Sequence, residues 1–478
     1  MKRILPILIV LFSTQSFSIP VDWHGKLGVN SILHKSSSYL DISANTASQT
    51  NAGSQEIKLA TNNNDELSVQ TYLFTLSPDI LVNDAVSIHT EFTSGYSRGG
   101  NLGSNTTGSQ KSGWSNALYS YNFQGGFINQ LNLEIFTDSA TYLIGRYKDH
   151  FGLGAVVNDG SKNWDHFAYT RDGFMLKVQL GNFHINPFWS RLVSGKENAD
   201  SSKIKEFGST LIYDNMDKDI TVGVLFSKKQ ASAGNKILST TATGTSVFMD
   251  QTDTTLIDIF LKKQIGNLEI AVEAPFFSGE IGTITSTATK YDANAIIAQT
   301  NYKFGDSWKV GLDFGKVSGD AGSKTKFSAM YLNPNFQIAN ILFKYNRDSL
   351  ANVSGSESLY SSYVNNVTYF KLKAELSNDE WRWYFNAIYA QAVEAASKTQ
   401  TSAFNHSRNL YFTPTVDQDK NLGIEFDVNF NYQYNEELSF QGSFGYLSTG
   451  DYFAYNNTST PNATKNAYAI TVGTIVSF

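Results

Sequence analysis

The sequence predicts an all-β protein: a transmembrane antiparallel β-barrel of about eighteen strands (16–20), with short turns on one side and long loops on the other. Three observations carry this prediction. Segments with a period of two residues recur from residue 21 to the C-terminus. They are joined in pairs by very short turns, and the pairs are joined by long polar stretches. Nowhere does the chain offer the ~18 consecutive apolar residues of a membrane helix.

Composition narrows the class. Of 478 residues 41% are hydrophobic and 17% charged, below the usual charged share of about 25%. The formal charge of -6 leaves no electrostatic footprint for nucleic acid. With no cysteine there is no disulfide scaffold and no lipoprotein cysteine. A mean hydropathy of -0.26 fits strands that turn one face to water, because the average hides the membrane-facing half. At the N-terminus, Met1-Lys2-Arg3 precedes the apolar run Ile4–Phe12, and Ser16-Phe17-Ser18 has the small-x-small form of a cleavage site. Residues 1–18 therefore read as a cleaved signal peptide, and residues 19–478 as one barrel domain. Nine apolar residues are too few to cross ~30 Å of hydrocarbon.

The elements follow in order. "VDWHGKLGVNSIL" sets Val21, Trp23, Leu27, Val29 and Leu33 against Asp22, His24, Lys26 and Asn30. Later, "LGIEFDVNFNYQY" sets Ile424, Phe426, Val428, Phe430, Tyr432 and Tyr434 against Glu425, Asp427, Asn429, Asn431 and Gln433. Such alternation over ~9–11 residues suits a tilted strand with lipid on one face and a lumen on the other. Eight tight turns are read at Pro78–Asp84, Asp138–Ser139, Gly181–Asn182, Asp214–Asp219, Gly266–Asn267, Gly305–Asp306, Asn378–Glu380 and Asn435–Glu437. They join sixteen strands; the segment near residue 21 and the one ending at Phe478 bring the number to eighteen. Ser318–Ser361 is the ambiguous stretch. Two more strands would give twenty, and an ordered loop folded over or into the lumen is the favoured reading.

Parity then divides the side chains. Leu143 and Tyr147 are read as lipid-facing, with Arg146 inward. Opposite Phe174, Leu176, Val178 and Leu180 lie Arg171, Lys177 and Gln179; opposite Ile257, Ile259 and Leu261 lie Asp258 and Lys262. Glu269 and Glu273 oppose Leu268, Ile270 and Val272, while Lys309 and Asp313 oppose Trp308, Val310, Leu312 and Phe314. Lys371, Lys373 and Glu375 oppose Phe370, Leu372 and Leu376, and Arg382 lies between Trp381 and Trp383. With Glu425 and Asp427 these make a lining of both signs. Basic residues concentrate at 146–177 and 371–382, acidic ones at 258–273 and 425–427. If those groups face one another across the pore, they set up a transverse field with modest ion selectivity. Trp23, Tyr147, Trp189, Trp308, Trp381, Trp383, Tyr434 and Tyr446 fit interfacial girdles.

Sharper chemistry is weakly supported. The histidines (His24, His34, His89, His150, His166, His184 and His406) have no serine motif beside them, so no enzyme is expected. "NDGSKNWD", Asn158 to Asp165, lacks the acidic spacing of a calcium loop, and neither metal nor cofactor is expected. "GLGA" lacks the pattern of a phosphate loop. "HFGLGAVV" is too apolar to stand in water, so the 148–171 loop is expected to fold inward and narrow the pore. The first strand follows the cleavage site within a few residues, which leaves no room for a plug domain of the energised-receptor type.

Two stretches carry a family resemblance. "GRYKDHFGLGAVVNDGSKNWDHFAYTRDGFMLKVQLGNFHINPFWS" and "DKNLGIEFDVNFNYQYNEELSFQGSFGYLSTGDYFAY" resemble the alginate-export-like outer-membrane porins. In the second, Leu422-Gly423-Ile424-Glu425-Phe426-Asp427 precedes a hairpin, and Gly450-Asp451 precedes the last strand. The resemblance implies an eighteen-stranded monomeric barrel that passes an anionic polysaccharide or small solutes. The lining here is not uniformly basic, which favours a general porin for small hydrophilic solutes, acidic sugars or oligosaccharides among them. The rival reading is a non-conducting surface or adhesin-type barrel using its long loops. The final strand, with Tyr468, Val476 and Phe478 on its apolar parity and Ile475 and Ser477 inward, also resembles the signal read by the outer-membrane assembly machinery. Outer-membrane lipid and lipopolysaccharide are the expected surroundings of the exported chain.

Overall fold

The computed structural model describes residues 20–41, 43–44, 65–94, 98–102, 127–193, 204–231, 238–240, 246–248, 252–284, 287–346 and 359–478. The expected signal peptide and most of the longest polar loops lie outside these residues. Eighteen long strands form the wall. They are β1 (Val21–Lys35), β2 (Glu66–Asn83), β3 (Val86–Thr93), β4 (Phe127–Phe136), β5 (Thr141–Lys148) and β6 (Thr170–Leu180). Next come β7 (Phe183–Val193), β8 (Ile204–Asn215), β9 (Ile220–Ala231), β10 (Asp253–Ile265), β11 (Leu268–Ile284) and β12 (Thr287–Phe304). The circuit continues with β13 (Trp308–Val317), β14 (Val367–Ser377), β15 (Trp381–Ala392), β16 (Asn421–Gln433), β17 (Leu438–Thr449) and β18 (Ala467–Ser477).

Each strand pairs antiparallel with the next, and β1 pairs with β18 from Lys26↔Ser477 to Lys35↔Tyr468. Closure removes both sheet edges, which a wall immersed in hydrocarbon requires. The pairing extends one residue further: the Gly25 N–H donates to the Phe478 carbonyl at 2.8 Å, and the Phe478 N–H donates to the Gly25 carbonyl at 3.1 Å. The Phe478 ring lies over the bare Cα of Gly25, where any Cβ would run into it. The terminal aromatic is thus part of the seam.

The expected parity holds along most of the wall. In β16, Ile424, Phe426 and Val428 are exposed on the outside while Glu425 and Asp427 are buried inside. In β18, Tyr468, Ile470, Val472 and Val476 are exposed while Ala469 and Ile475 are buried. Near the tight-turn mouth the outward rings of Trp381, Trp383, Phe430, Tyr432 and Phe440 form one packed band, with Trp381 and Tyr432 centroids 4.5 Å apart. A closed barrel with an apolar, aromatic-girdled exterior is the form that crosses an outer membrane, and that is where this protein resides.

Three expectations need correction. The turn expected at Pro78–Asp84 is confined to 84–85, and β2 runs through Pro78. Its pairing with β3 skips from Leu76↔Phe92 to Asp79↔His89, so a residue without an N–H loses no ladder bond there. The Pro78 carbonyl instead accepts the Thr90 hydroxyl at 2.6 Å. Leu143 and Tyr147 face inward, Tyr147 being 1% exposed. "TYLIGRYK" is apolar on both parities because its inner face meets a packed loop instead of water. For the same reason Arg146 is on the outer face. It pairs in register with Leu131 and Asp172, flanked outside by the exposed Phe174, and its charge is met by a two-point bond to Asp172 at 2.5 and 2.6 Å.

The ambiguous 318–361 stretch adds no stave. Among its described residues only Lys326–Phe327 is strand, paired in parallel with Lys290 and Tyr291. The rest folds into the lumen and buries Ala329, Met330, Leu332, Phe336, Ile338, Ile341 and Leu342. The 149–169 loop also turns inward and buries Phe151, Ala155, Val156 and Val157. The two loops clasp each other: the Asn333 N–H donates to the Ala155 carbonyl at 2.6 Å, and the Asn335 amide bonds both the carbonyl (2.7 Å) and the N–H (3.2 Å) of Phe167. Together with inner residues such as Leu225, Ile297, Val367 and Ile388 they form an apolar core in the long-loop half of the barrel.

The seam yields a prediction. Gly25→Val forces the Phe478 ring aside and should lower the unfolding midpoint of the purified barrel, at a cost of about 1–3 kcal/mol typical of overpacking. Gel mobility after graded heating reads this out; an unshifted midpoint would show that the ring does not seat on Gly25.

Candidate functional site: a lumen divided by two pinned loops

The wall carboxylates decide where the loops sit. On β11, Glu273 accepts the backbone N–H of Leu153 and, at 3.2 Å, that of Ala155. The "GLGA" turn wraps this carboxylate. Gly152 has φ +63°, and a Cβ there would lie 2.5 Å from the Glu273 carboxylate, so glycine is required on both counts. Asp258 on β10 is buried beside it. On β16, Glu425 accepts the N–H groups of Ile341 at 2.6 Å and Leu342 at 2.9 Å, while Asp427 accepts that of Asn340 at 3.2 Å. Lys371 on β14 donates to the Ile338 carbonyl at 2.9 Å. Five of the residues expected to line the pore, Asp258, Glu273, Lys371, Glu425 and Asp427, are therefore covered by the loops, and four of them bond to loop backbone.

Arg171 is buried as well. Its guanidinium bonds Asp149 and, at 3.2 Å, Glu206, and lies 3.9 Å from the Phe188 ring centroid. Glu206 also accepts the hydroxyls of Tyr169 (3.1 Å) and Ser227 (2.6 Å). Both stems of the 149–169 loop are thereby fixed to β6–β9. A second clamp escaped the sequence reading. Arg98 makes a two-point bond to Glu91 at 2.8 and 3.1 Å and reaches the Gly160 carbonyl at 2.5 Å, while Lys148 bonds the same Glu91 at 3.0 Å. Arg98 directly precedes Gly99–Asn101, a strand of three residues paired with β2 and too short to show alternation; only its setting, "SRGG", sets it apart.

The remaining charges lie toward the tight-turn mouth and pair along the wall. Lys262 meets Glu269 at 2.9 Å, Lys373 meets Asp313 at 2.6 Å, Lys309 meets Glu375 at 3.4 Å and Lys177 meets Glu134 at 3.6 Å. Arg382 is exposed on the inner parity at that mouth. The two signs interleave on neighbouring strands. The opposition of a basic wall to an acidic wall, which the chain positions suggested, is not formed.

The 158–165 oxygens are used by turns: Asn158 Oδ1 accepts the Gly160 N–H at 2.9 Å, and Asp165 Oδ2 accepts that of Lys162 at 3.1 Å. In the long-loop cap, His406 accepts the Asp320 N–H at 2.7 Å. Burial lowers the His406 pKa to about 3 and raises the Asp320 carboxyl to about 6. The two act with opposite sign on acidification. The folded cap takes up fewer protons at His406 than the unfolded chain does, so stability is lost as pH falls below about 6.5. At Asp320 it takes up more, so stability is regained as pH falls below about 6.

Beneath the clasped loops a cavity of about 310 Å³ lies against β1 and β15–β18, with Trp164, Asn335, Asn429, Asn431 and Gln441 in its lining. An open cleft of about 610 Å³ follows at the tight-turn mouth, lined by Asn163, Gln433, Glu437, Ser439 and Ser477.

Removing a pin should free a loop. Glu425→Ala leaves the Ile341 and Leu342 N–H groups unpaired, a loss of about 1–3 kcal/mol for a buried pair. Trypsin should then cut after Lys344 roughly tenfold faster or more, as local opening becomes more frequent. Cleavage at the wild-type rate would mean that Glu425 does not hold the loop.

No protein-family model and no curated protein matches the chain. Among solved structures it is similar to OccK2 (OpdF) of Pseudomonas aeruginosa, with 9% identity over 96% of this chain and 98% of that one and a TM-score of 0.48. It is similar to a BenF-like porin of Pseudomonas fluorescens Pf-5 at 10% identity, 96% and 99% coverage and a TM-score of 0.49. The outer-membrane protein OmpT of Vibrio cholerae follows at 10% identity, 96% and 97% coverage and a TM-score of 0.37.

Proposed function

We propose that the barrel is a porin through which small hydrophilic solutes diffuse passively across the outer membrane, and not an enzyme. One observation carries the reading: beneath an apolar, loop-filled outer half the lumen keeps a cavity lined by amide and aromatic side chains, and the next inward residues of β16 and β17, Gln433 and Ser439, line a cleft open at the tight-turn mouth. A barrel serving only as a scaffold gains nothing from open space between its loops and its wall. Acidic sugars and oligosaccharides are the solutes that the alginate-export-like resemblance adds. The paired state of the basic residues in the lumen argues against a strongly anion-selective path. The rival, a non-conducting surface barrel, rests on the long Ser- and Thr-rich loops.

Purified protein in a planar bilayer separates the two readings. The porin conducts, and its reversal potential in a salt gradient stays near zero because its charges are interleaved. Strong selectivity for either ion sign contradicts the mixed lining. Insertion without conductance favours the surface barrel.

We infer further that the chain assembles as a monomer among outer-membrane lipid and lipopolysaccharide, and that the assembly machinery reads the Tyr468–Val476–Phe478 face of β18. Deleting Phe478 should reduce the yield of folded, heat-modifiable protein in the outer membrane more than it lowers refolding yield in detergent. Equal losses in both would assign Phe478 a role in stability only.

A further inference from the structure

We propose that the 310 Å³ cavity is a binding site for an uncharged polyhydroxylated solute of the size of a monosaccharide. The inference rests on the porin reading and names the solute class of that channel.

The lining argues for the class. Its formal charges are one cation, Lys344, and one carboxylate, Asp165. Both are engaged: Lys344 Nζ donates to Asn340 Oδ1 at 3.4 Å, and Asp165 accepts the Lys162 N–H. Of the remaining polar side chains seven are amides and five are hydroxyls, beside His166 and the Trp164 N–H. A carboxylate ligand wants donors alone, whereas an amide side chain offers a donor and an acceptor together. Neighbouring hydroxyl groups, each a donor and an acceptor, are the complementary partners.

The amides are also arranged for a ligand. Gln441 Nε2 donates to Asn30 Oδ1 at 3.0 Å, and Asn340 Nδ2 donates to Asn429 Oδ1 at 2.7 Å. These bonds fix the orientation of one pair along the wall and of one pair between the inward loop and β16. Gln337 Nε2 donates to the Pro334 carbonyl at 2.5 Å, which sets its amide.

Aromatic faces complete the site. The Trp164 ring meets the wall at Gly28, where a Cβ would come within 2.9 Å of its Cη2 and Cζ3 atoms, so the missing side chain makes room for the indole. Tyr384 stands on the inner parity of β15, in the same cavity. A sugar ring offers an apolar C–H face to such surfaces and its hydroxyl edge to the amides. At about 310 Å³ the space is near the lower end of small-molecule pockets, which suits one ring better than a chain.

The test uses the full-length protein in planar bilayers, with glucose and then glucuronate added as probes. Glucose should reduce the ionic current saturably, and glucuronate should do so more weakly. Trp164→Ala should weaken the glucose effect about tenfold, the loss of one stacking contact. Asn431→Leu should weaken it too. A conducting channel indifferent to glucose overturns the site and leaves the porin reading standing. Tighter block by glucuronate than by glucose overturns the uncharged class. An equal glucose response in the wild type and Trp164→Ala overturns the assignment to this cavity. Insertion with no current in salt overturns the porin reading and this one with it.

Discussion

A carboxylate in the barrel wall accepting backbone N–H groups from an inward loop is the interaction on which the interior depends. Among the described residues Glu273 and Glu425 each accept two such N–H groups, and Asp427 accepts one. A closed barrel of this size leaves an aqueous lumen unless something fills it. The loops supply apolar side chains for that purpose, but their backbone arrives without a sheet or helix to satisfy it. The two oxygens of one carboxyl group answer two N–H groups at once, and such bonds contribute about 0.5–1.5 kcal/mol each. The loop amides in turn satisfy a polar group that would be expensive to bury bare. Each partner is tolerable inside the barrel only because of the other.

The division of the lumen follows. Toward the long-loop end, the pinned segments pack with Leu225, Ile297, Val367 and Ile388 into a dry core. Toward the tight-turn end, Lys262, Lys309 and Lys373 find carboxylates on adjacent strands, and their fields largely cancel beyond a few ångströms. Between these zones lies the amide and aromatic surface of β15–β18 and β1. Charge is thus used for architecture, and the space left in the lumen between these zones is bounded mostly by neutral groups.

How much of this was legible depended on what each face meets. β16 could be read residue by residue, because Ile424, Phe426 and Val428 meet lipid while Glu425 and Asp427 needed polar partners. β5 could not. Its inner residues Leu143 and Tyr147 meet the apolar 149–169 loop, so both parities look alike, and Arg146 was turned the wrong way as a result. The eight hairpins were visible in their Gly, Asn and Asp residues. Pro78 misled because a break in the β2–β3 ladder is a property of the pairing, invisible in one strand. That "HFGLGAVV" would fold inward followed from its apolarity. Its partner in the lumen, "NPNFQIANILF", was recognisable as a loop, but nothing in its own order of residues points to Glu425. Long-range pairs of this kind are set by the circuit of the whole barrel.

The central claim is that wall carboxylates hold the loop backbone inside the lumen. Amide hydrogen exchange on the folded wild-type protein tests it most directly. The N–H groups of Leu153, Ala155, Ile341 and Leu342 should exchange as slowly as those of the staves beside them, though none belongs to a strand. Exchange at the rate of an open surface loop would contradict the account.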